Sequence, residues 1–345
     1  MKNKLLLILP FFIMFMMFSS CSTDLEINAD YKEIPVVFCV LNPSREMQYV
    51  KINKTFLGKI DAHQMAQQSD SLFFTDNIVV ILKKYTNKNE VASWIFDRCD
   101  SIPKDDGLFA NDKNIIYQKK IDFGVNTKDD EYKIIVNIGE GKHIVEGNTK
   151  LIFGSALSKP NESNHLSLTN YKNNYTIEYY AGWATNFAEI YLQFNYFEVT
   201  GSDTVYKSFK TRFLKEVVPS NYDNLRPLTR SFSIMDFYSL LMDLQPVPFG
   251  TKRYVKMPDS FVFEIVTANN EYYTYTQVTK PSEGIIQFRP NYTNLEGGLG
   301  LFAATNYYNI RLKMSRQNLD TLHRGIYTRN LGFVDKDDLY YFPFF

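Results

Sequence analysis

One cysteine stands where an apolar run gives way to a polar, acidic segment. The run, Leu5–Phe18, is uncharged and about 14 residues long, which is the length of a signal-peptide core and short of the roughly 20 residues that cross a membrane. Two lysines precede it, and the small residues Ser19 and Ser20 come directly before Cys21. The sequence therefore predicts a signal-peptide core here and not a transmembrane helix.

The stretch Phe18-Ser19-Ser20-Cys21 resembles the lipobox of bacterial lipoproteins. The resemblance implies that residues 1–20 are a lipoprotein signal peptide and that residues 21–32 are a tether. It also implies that the Cys21 thiol carries a diacylglycerol and that its amine carries a further fatty acid such as palmitate. Several acyl chains on one residue hold a protein at a membrane essentially permanently.

The residue after the lipidated cysteine sets the expected membrane. By the same resemblance, an Asp there retains a lipoprotein in the inner membrane, and this chain has Ser22 instead, which predicts the outer membrane. Ser22–Glu26 also resembles the serine and acidic tethers that carry Bacteroidetes lipoproteins to the cell surface. The alternative is a solvated linker on the periplasmic side.

The rest of the chain has no motif with the spacing of a catalytic, cofactor or metal site. It contains neither a Gly-x-Ser-x-Gly elbow nor a Cys-x-x-Cys pair, so we predict no catalytic residue, no cofactor and no metal. Asp105-Asp106-Gly107 with Asn111-Asp112 offers oxygen ligands for Ca²⁺, but its spacing is not that of an EF-hand and favours a solvated turn. The four histidines lie far apart in the sequence, at His63, His143, His165 and His323.

Four tripeptides resemble the Asp-Ser/Thr-aliphatic O-glycosylation sequence of exported Bacteroidetes proteins. They begin at Asp70, Asp100, Asp203 and Asp320. The resemblance implies glycan attachment at the hydroxyl residues Ser71, Ser101, Thr204 and Thr321. Because the motif is short, chance is the alternative explanation for some of them.

The overall charge excludes one large class of partner. Lysine plus arginine and aspartate plus glutamate number 38 each, so the chain has no basic field that would attract nucleic acid, and we predict no nucleic-acid partner.

Beyond Cys21, the sequence has two further cysteines, Cys39 and Cys99. They could form one disulfide in an oxidising compartment, but Cys39 lies in an apolar run typical of a buried thiol, and we favour two free cysteines.

The elements that carry these residues are predicted to be mostly strands, because 16% of the chain is aromatic and such residues suit pleated, half-buried surfaces. Residues 33–157 predict an immunoglobulin- or fibronectin-like β-sandwich, in which Asp130-Glu131-Tyr132 forms a tyrosine corner. Seven short strands alternate with turn sequences there: Ile34–Leu41, Met47–Phe56, Ile78–Tyr85, Val91–Phe96, Ile115–Asp122, Tyr132–Ile138 and Thr149–Gly154.

Residues 158–174 are rich in Ser and Asn and predict a linker to a second β-rich domain, residues 175–345, with one or two short helices. The fold class is therefore all-β with minor α. The predicted strands are Tyr175–Trp183, Glu189–Thr200, Thr204–Phe213, Phe261–Thr267, Glu271–Val278 and Gly300–Lys313. The predicted helices are Met235–Leu244, capped by Ser233, and Ser315–His323.

Four stretches of the chain resemble one family, the Bacteroidetes outer-membrane lipoproteins of a domain of unknown function that are often encoded beside TonB-dependent receptors. The similar stretches are Ile34–Pro43, Tyr49–Gly58, Asp106–Ala110 and Pro290–Phe302, and together they span most of the mature chain. The block Asn294-Leu-x-Gly-Gly-Leu-Gly-Leu-Phe302 is the most distinctive. Its glycines predict a tight turn or bulge where two backbones approach, rather than a phosphate cradle.

The family resemblance implies a non-enzymatic binding or accessory role at the outer membrane, with a TonB-dependent receptor as the expected partner. It supplies no catalytic residue. The alternative is a surface enzyme that degrades polysaccharide or peptide. Such an enzyme needs a carboxylate pair about 5 to 9.5 Å apart in a cleft, which a linear sequence cannot locate.

Overall fold

The computed structural model describes residues 33–56, 61–161, 165–280, 292–335 and 337. The predicted signal peptide, Cys21 and the tether lie outside these residues. The described chain is mostly β, with several sheets and short helices, which confirms the all-β fold with minor α. Among the described residues, no helix is long and apolar enough to span a membrane.

The amino-terminal part contains eight strands and two short helices. In chain order they are β1 (Pro35–Leu41), β2 (Met47–Lys54), α1 (Ala62–Ala66), α2 (Ser69–Leu72), β3 (Ile78–Thr86), β4 (Asn89–Ile95), β5 (Asp97–Cys99), β6 (Ile116–Lys120), β7 (Asp130–Ile138) and β8 (His143–Thr149).

The remaining elements follow in chain order. They are β9 (Ala156–Lys159), β10 (Asn174–Tyr180), β11 (Phe187–Thr200), β12 (Asp203–Val217), β13 (Leu228–Ser233), α3 (Ile234–Met242), β14 (Thr251–Val255), β15 (Phe261–Ala268), α4 (Asn270–Val278), β16 (Leu295–Glu296), β17 (Leu299–Leu312) and α5 (Arg316–Arg324).

The first eight strands form a two-sheet sandwich. One sheet has the order β1-β2-β6-β5 and the other β8-β7-β3-β4. If the strands are lettered in chain order as A, B, C, C′, D, E, F and G, these sheets are ABED and GFCC′, which is the immunoglobulin-type arrangement. Alternate residues of both sheets, such as Val37, Leu82 and Val136, fill the core and are fully buried.

Tyr132 occupies the predicted tyrosine corner. It lies near the start of β7, is fully buried, and donates its hydroxyl hydrogen to Asn126 Oδ1, six residues earlier, at 2.6 Å. Beside it, Lys84 and Asp130 form an ion pair of 2.9 Å that is almost completely shielded from solvent. The corner therefore fixes the loop that enters the penultimate strand of the sandwich.

The strand β17 joins the carboxyl-terminal part to one sheet of this sandwich. β17 pairs in parallel with β1, and on its other side it pairs with β15, which pairs with β11. A single nine-stranded sheet, β12-β11-β15-β17-β1-β2-β6-β5 with β14 beside β11, thus runs through both parts. A second core lies between this sheet, the three-stranded sheet β13-β10-β9 and the helices α3 and α5, with Phe194, Phe237 and Phe261 at its centre.

The distinctive glycine block is the place where the chain changes sheets. β16 pairs with β8 in one sheet of the sandwich, and three residues later β17 pairs with β1 in the other. Gly297 and Gly300 have φ of +77° and +119°, and a Cβ on either would overlap a backbone carbonyl oxygen, that of Ile144 or that of Val37. The close backbone approach predicted from these glycines is present.

Two of the predicted strands are wrong. The strand predicted at Thr149–Gly154 is wrong, because the strand there is β8, which ends at Thr149. Gly147 lies inside this strand and makes room for Leu295, whose side chain would be 2.6 Å from an added Cβ. The strand predicted at Glu271–Val278 is the helix α4. Asn269 caps it by accepting a hydrogen bond from the Tyr272 amide at 3.2 Å, and its tyrosines contact the nine-stranded sheet.

The segment predicted as a linker, residues 158–174, contributes to the second core. Leu166 and Leu168 are fully buried, and Leu166 forms a bridge to Met314. The domain boundaries themselves stay a prediction.

Cys39 and Cys99 are both free, as predicted, and both are buried. They lie three strands apart in the nine-stranded sheet.

Candidate functional site

A cavity of about 470 Å³ opens beside the two short helices of the sandwich. It is bounded by the segment after α2, by β5 and by the segment before β6. Its lining residues are Asp70, Phe73, Phe74, Thr75, Arg98, Asp100, Asp112, Lys113, Asn114 and Ile115. An apolar floor under a charged rim is the usual composition of a small-ligand site.

Two lysines of β2 contact the aromatic floor of the cavity. Phe73 and Phe74 are buried, and the ammonium groups of Lys51 and Lys54 lie over their rings at 4.8 and 5.9 Å. Lys51 Nζ also donates to Asn114 Oδ1 at 2.7 Å and to the Ile115 carbonyl at 3.0 Å. One side chain thus ties the floor to the opposite wall.

The long loop between β5 and β6 closes the cavity because it is bonded to α1 and α2. The Ala110 amide donates to the Ala66 carbonyl at 2.8 Å, and Gln67 donates to the Leu108 carbonyl. Ser69 donates to Asp112 at the start of α2. The Asp105–Asp112 stretch is therefore a bonded loop in which Asp106 accepts from Asn111 while Asp112 accepts from Ser69.

The charges on the cavity rim are largely paired. Arg98 and Asp100 lie 3.0 Å apart, and Lys113 and Asp70 lie 3.3 Å apart. Hydrogen bonds from Arg98 hold the pKa of Asp100 below its usual range, and the bond from Ser69 does the same for Asp112. Both carboxyl groups are therefore ionised at neutral pH, which suits electrostatic recognition rather than proton donation.

No metal cluster is present in the part of the chain that the structure describes, since nowhere there do three His, Cys, Asp or Glu side chains lie close enough together to hold an ion.

The four predicted glycan acceptors occupy three different places. Ser71, half exposed on α2, and Ser101, exposed after β5, each follow an aspartate that lines the cavity. Thr204 is exposed near the tip of the β11–β12 hairpin. Thr321 lies within α5, where its hydroxyl donates to the Gln317 carbonyl at 2.9 Å. Attachment at any of them stays a prediction, and the predicted lipid site, Cys21, lies outside the described residues.

Sequence reasoning missed the cavity as a site. Two of its aspartates, Asp70 and Asp100, stood out only as parts of the glycosylation-like tripeptides. The Phe73-Phe74 pair was the other available signal, since two adjacent aromatics after a short polar segment can face one surface. Asp112 and Lys113 carry no pattern that connects them with residues about 40 positions earlier.

A scan against protein-family models finds no matching family, and a search of curated proteins finds no matching sequence. The resemblance to the Bacteroidetes lipoprotein family therefore stays a prediction.

Lys51 provides a pH-dependent signature of the cavity. Burial, with a smaller contribution from Lys104, lowers the pKa of Lys51 from its usual 10.5 to about 8. Between these values the unfolded chain binds more protons at this position, so the stability of the wild-type protein should rise with pH relative to Lys51→Met. We expect a titration midpoint near pH 8, measured by NMR of ¹³C-methylated lysines with Lys51→Arg for assignment. A midpoint at 10 or above would contradict the described burial.

Proposed function

We propose that this chain is a lipid-anchored outer-membrane lipoprotein that acts by binding a ligand or a partner protein. The observation that carries the proposal is the apolar run that stops at Ser19-Ser20-Cys21, the substrate pattern of lipoprotein acylation. The fold supports it, because an immunoglobulin-type sandwich is a rigid scaffold on which loops and faces form binding sites.

The position of the cavity supports binding close to the membrane. The described chain begins at Glu33, which forms ion pairs with Lys54 at 3.1 Å and with Lys142 at 3.2 Å. Lys54 lies over Phe74 in the cavity floor, so the cavity is next to the point where the tether leaves the body. The roughly 12 residues from Cys21 to Glu33 reach at most about 40 Å. A ligand of this site is therefore held within reach of the same membrane.

The opposite end of the molecule points away from that attachment. The register of β1, β17, β15 and β11 places the tip of the β11–β12 hairpin about 20 residue positions beyond Pro35 in the strand direction, at about 3.3 Å per position along each strand. An anchored chain can thus contact a membrane-embedded partner near the tether while its far end extends outward.

Two of the cavity carboxyls lack the raised pKa that a glycoside hydrolase needs in its acid catalyst. A glycoside hydrolase needs one carboxyl whose pKa is raised so that it can donate a proton. In the cavity, the pKa values of Asp100 and Asp112 are lowered. Burial raises the pKa of Glu271, but this side chain is on α4 and does not line the cavity.

A TonB-dependent outer-membrane receptor is the partner that the family resemblance implies. We expect a receptor to cross-link to a photoreactive residue introduced at Thr75, which is exposed at the cavity. The matched control is the same group at Thr204, exposed on the far hairpin, which should not cross-link. Equal labelling of a receptor from both positions, or of none from either, would argue against this partner.

Removal of the acylated thiol should release the protein from the membrane. We expect mass spectrometry of the purified wild-type protein to find Cys21 as the first residue with its lipid attached, and Cys21→Ser to move nearly all of the protein out of the membrane fraction. The control is Cys99→Ser, a buried thiol that should leave fractionation unchanged. A wild-type protein that begins at another residue, or that fractionates as soluble, would overturn the proposal.

A further inference from the structure

A second pocket lies where loops of the sandwich meet the second part of the chain. Its volume is about 180 Å³, and it is formed by the start of β7 with the loop before it, by the segment after β8 and by the segment between β10 and β11. It shares no lining residue with the larger cavity. Sites for drug-sized ligands usually measure about 300–1,000 Å³. This pocket therefore suits a smaller molecule, such as one with a single six-membered ring.

One wall of the pocket is aromatic. Phe153 and Trp183 both line it, and both side chains are partly exposed. Their ring centroids are 6.4 Å apart with 26° between the ring planes, and the Trp183 amide donates to the Phe153 carbonyl at 2.8 Å. The π electrons make an aromatic face slightly negative, so it attracts the C–H bonds of a flat ring laid against it.

The backbone on both sides of Trp183 is in the left-handed region. Gly182 has φ +95°, and a Cβ added to it would lie 2.6 Å from Ser155 Oγ. Ala184 has φ +61°, a conformation that a residue with a Cβ rarely adopts. Such residues persist only where the surrounding structure imposes them, and they cluster at ligand sites. The strained backbone therefore fixes the position of Trp183 beside the pocket.

Two lysines on the other side of the pocket have no counter-charge. Lys128 and Lys150 line it with exposed side chains. Lys150 Nζ donates to the Lys128 carbonyl at 3.4 Å, so the two residues are adjacent. Within the part of the chain that the structure describes, neither ammonium has an acidic partner within 4 Å. Two neighbouring ammonium groups of this kind attract an anion.

The acid that lines the pocket, Asp130, does not neutralise these lysines. It accepts hydrogen bonds from the Thr86 hydroxyl at 2.7 Å and from the Thr127 amide at 2.9 Å, and it pairs with Lys84 at 2.9 Å. Its charge is therefore matched by a lysine outside the pocket. The neighbouring Asp129 is exposed and does not line the pocket. The pocket thus combines an aromatic wall with a net positive charge.

We propose that this pocket binds a small carboxylic acid, with its six-membered ring against Trp183 and its carboxylate between Lys128 and Lys150. An inorganic anion would leave the aromatic wall in contact with water, and a neutral ring would leave both ammonium groups without a counter-charge. Sugar acids and aromatic acids share the required chemistry. The site does not depend on the lipid anchor or on the larger cavity.

The fluorescence of Trp183 tests the proposal, because Trp94→Phe leaves it as the sole tryptophan. At constant ionic strength we expect a saturable change with sodium glucuronate, sodium benzoate or both, with a Kd of roughly 1 mM for a ligand of this size. A response to glucuronate alone identifies a sugar acid, and a response to benzoate alone identifies an aromatic acid. Glucose and acetate, which supply only the ring or only the carboxylate, should bind at least about tenfold more weakly.

Two outcomes of this titration would overturn the proposal. One is the lack of a saturable response to either acid up to about 50 mM, well above the expected Kd. The other is binding of acetate or glucose as tight as that of the ring acids, since the ring and the carboxylate would then not be recognised together. Ligand-observed saturation-transfer NMR on the unmodified chain gives a second measurement that does not depend on how Trp94→Phe folds.

The two lysines are tested by a double variant that leaves the core untouched. Lys128→Gln with Lys150→Gln should weaken binding of the responding acid at least about tenfold, because it removes both charge-assisted hydrogen bonds. The matched control is Lys172→Gln with Lys207→Gln, two exposed lysines that do not line the pocket, and it should bind like the wild type. Equal affinity of the two double variants would reject the assigned role of Lys128 and Lys150.

Discussion

Gly300→Ala should lower the free energy of unfolding by roughly 4 kcal/mol or more, because it combines backbone strain of about 1–3 kcal/mol with overpacking of similar size. Gly300 has φ +119°, and its added Cβ would overlap the Val37 carbonyl oxygen. That oxygen belongs to β1, the strand that β17 must approach for the nine-stranded sheet to form. The substitution therefore weakens the pairing of β17 with β1, which connects the two parts of the chain.

Two other glycines separate the contributions to this effect. Gly141 has φ +100° with no atom within 4 Å of an added Cβ, so Gly141→Ala should cost only the strain, about 1–3 kcal/mol. Gly107 has open space and no positive φ, and Gly107→Ala should change stability by less than about 0.5 kcal/mol. If Gly300→Ala proved no more destabilising than Gly141→Ala, the close pairing of β17 with β1 would be wrong.

The two tryptophans allow the unfolding of each part to be followed. Trp94 packs edge-on to Phe123 in the sandwich, and Trp183 stacks on Phe153 beside the second core. We compare two variants that each keep one tryptophan, Trp94 or Trp183, in an otherwise unchanged chain. Both should unfold at the same urea concentration, since β17 belongs to both parts. After Gly300→Ala we expect the two transitions to separate. Coincident transitions that shift together would instead mean that another contact couples the parts.

Arg253→Met should cost about 3–5 kcal/mol, the range for removal of one partner from a buried ion pair. The Arg253 side chain is only 4% exposed and contacts Glu198 at 2.9 Å. It also donates to the carbonyls of Leu331 and Gln245 at 2.9 and 2.8 Å. Its loss leaves a partly buried carboxylate and two carbonyl oxygens without this hydrogen-bond donor.

The matched control for Arg253 is Arg98, whose ion pair with Asp100 is more than half exposed on both sides. Arg98→Met should cost no more than about 1 kcal/mol. Arg253→Lys should recover little, because an ammonium cannot reproduce the planar fork that reaches a carboxylate and two carbonyls together. Urea unfolding followed at Trp183 measures all three. Equal effects of the Arg253 and Arg98 substitutions would contradict the described burial.

The sandwich was predictable from sequence because its signals are local. Alternating apolar residues in β1, β2, β3 and β7 fix which side chains face inward, and the turns between them have the expected composition. Asp130-Glu131-Tyr132 identified the tyrosine corner for the same reason. The errors arose where local preference was ambiguous: Gly147 resembles a turn residue although it lies in a strand, and the tyrosines of α4 suit either a strand or a helix.

The cavity could not be predicted in this way. Its residues come from three segments, near residues 70–75, 98–100 and 112–115, and nothing in the periodicity of one segment specifies the others. Their convergence depends on the pairing of β6 with β2 and of β5 with β6, and on the long loop folding back over α1. Both depend on pairings between residues far apart in the sequence, for which the sequence contains no short-range signal.

The sequence alone determined the features of this protein that depend on neighbours in the chain: short amphipathic strands, the helix cap at Ser233, and glycines suited to close backbone contact. Only the tertiary structure decided which backbones those glycines approach, that β17 completes the sheet of the first part, and that charged side chains from separate loops surround one cavity. The physical reason is that local conformation follows from each residue's own steric and hydrogen-bonding preferences, whereas strand partners are selected by burial and hydrogen bonding summed over the whole fold.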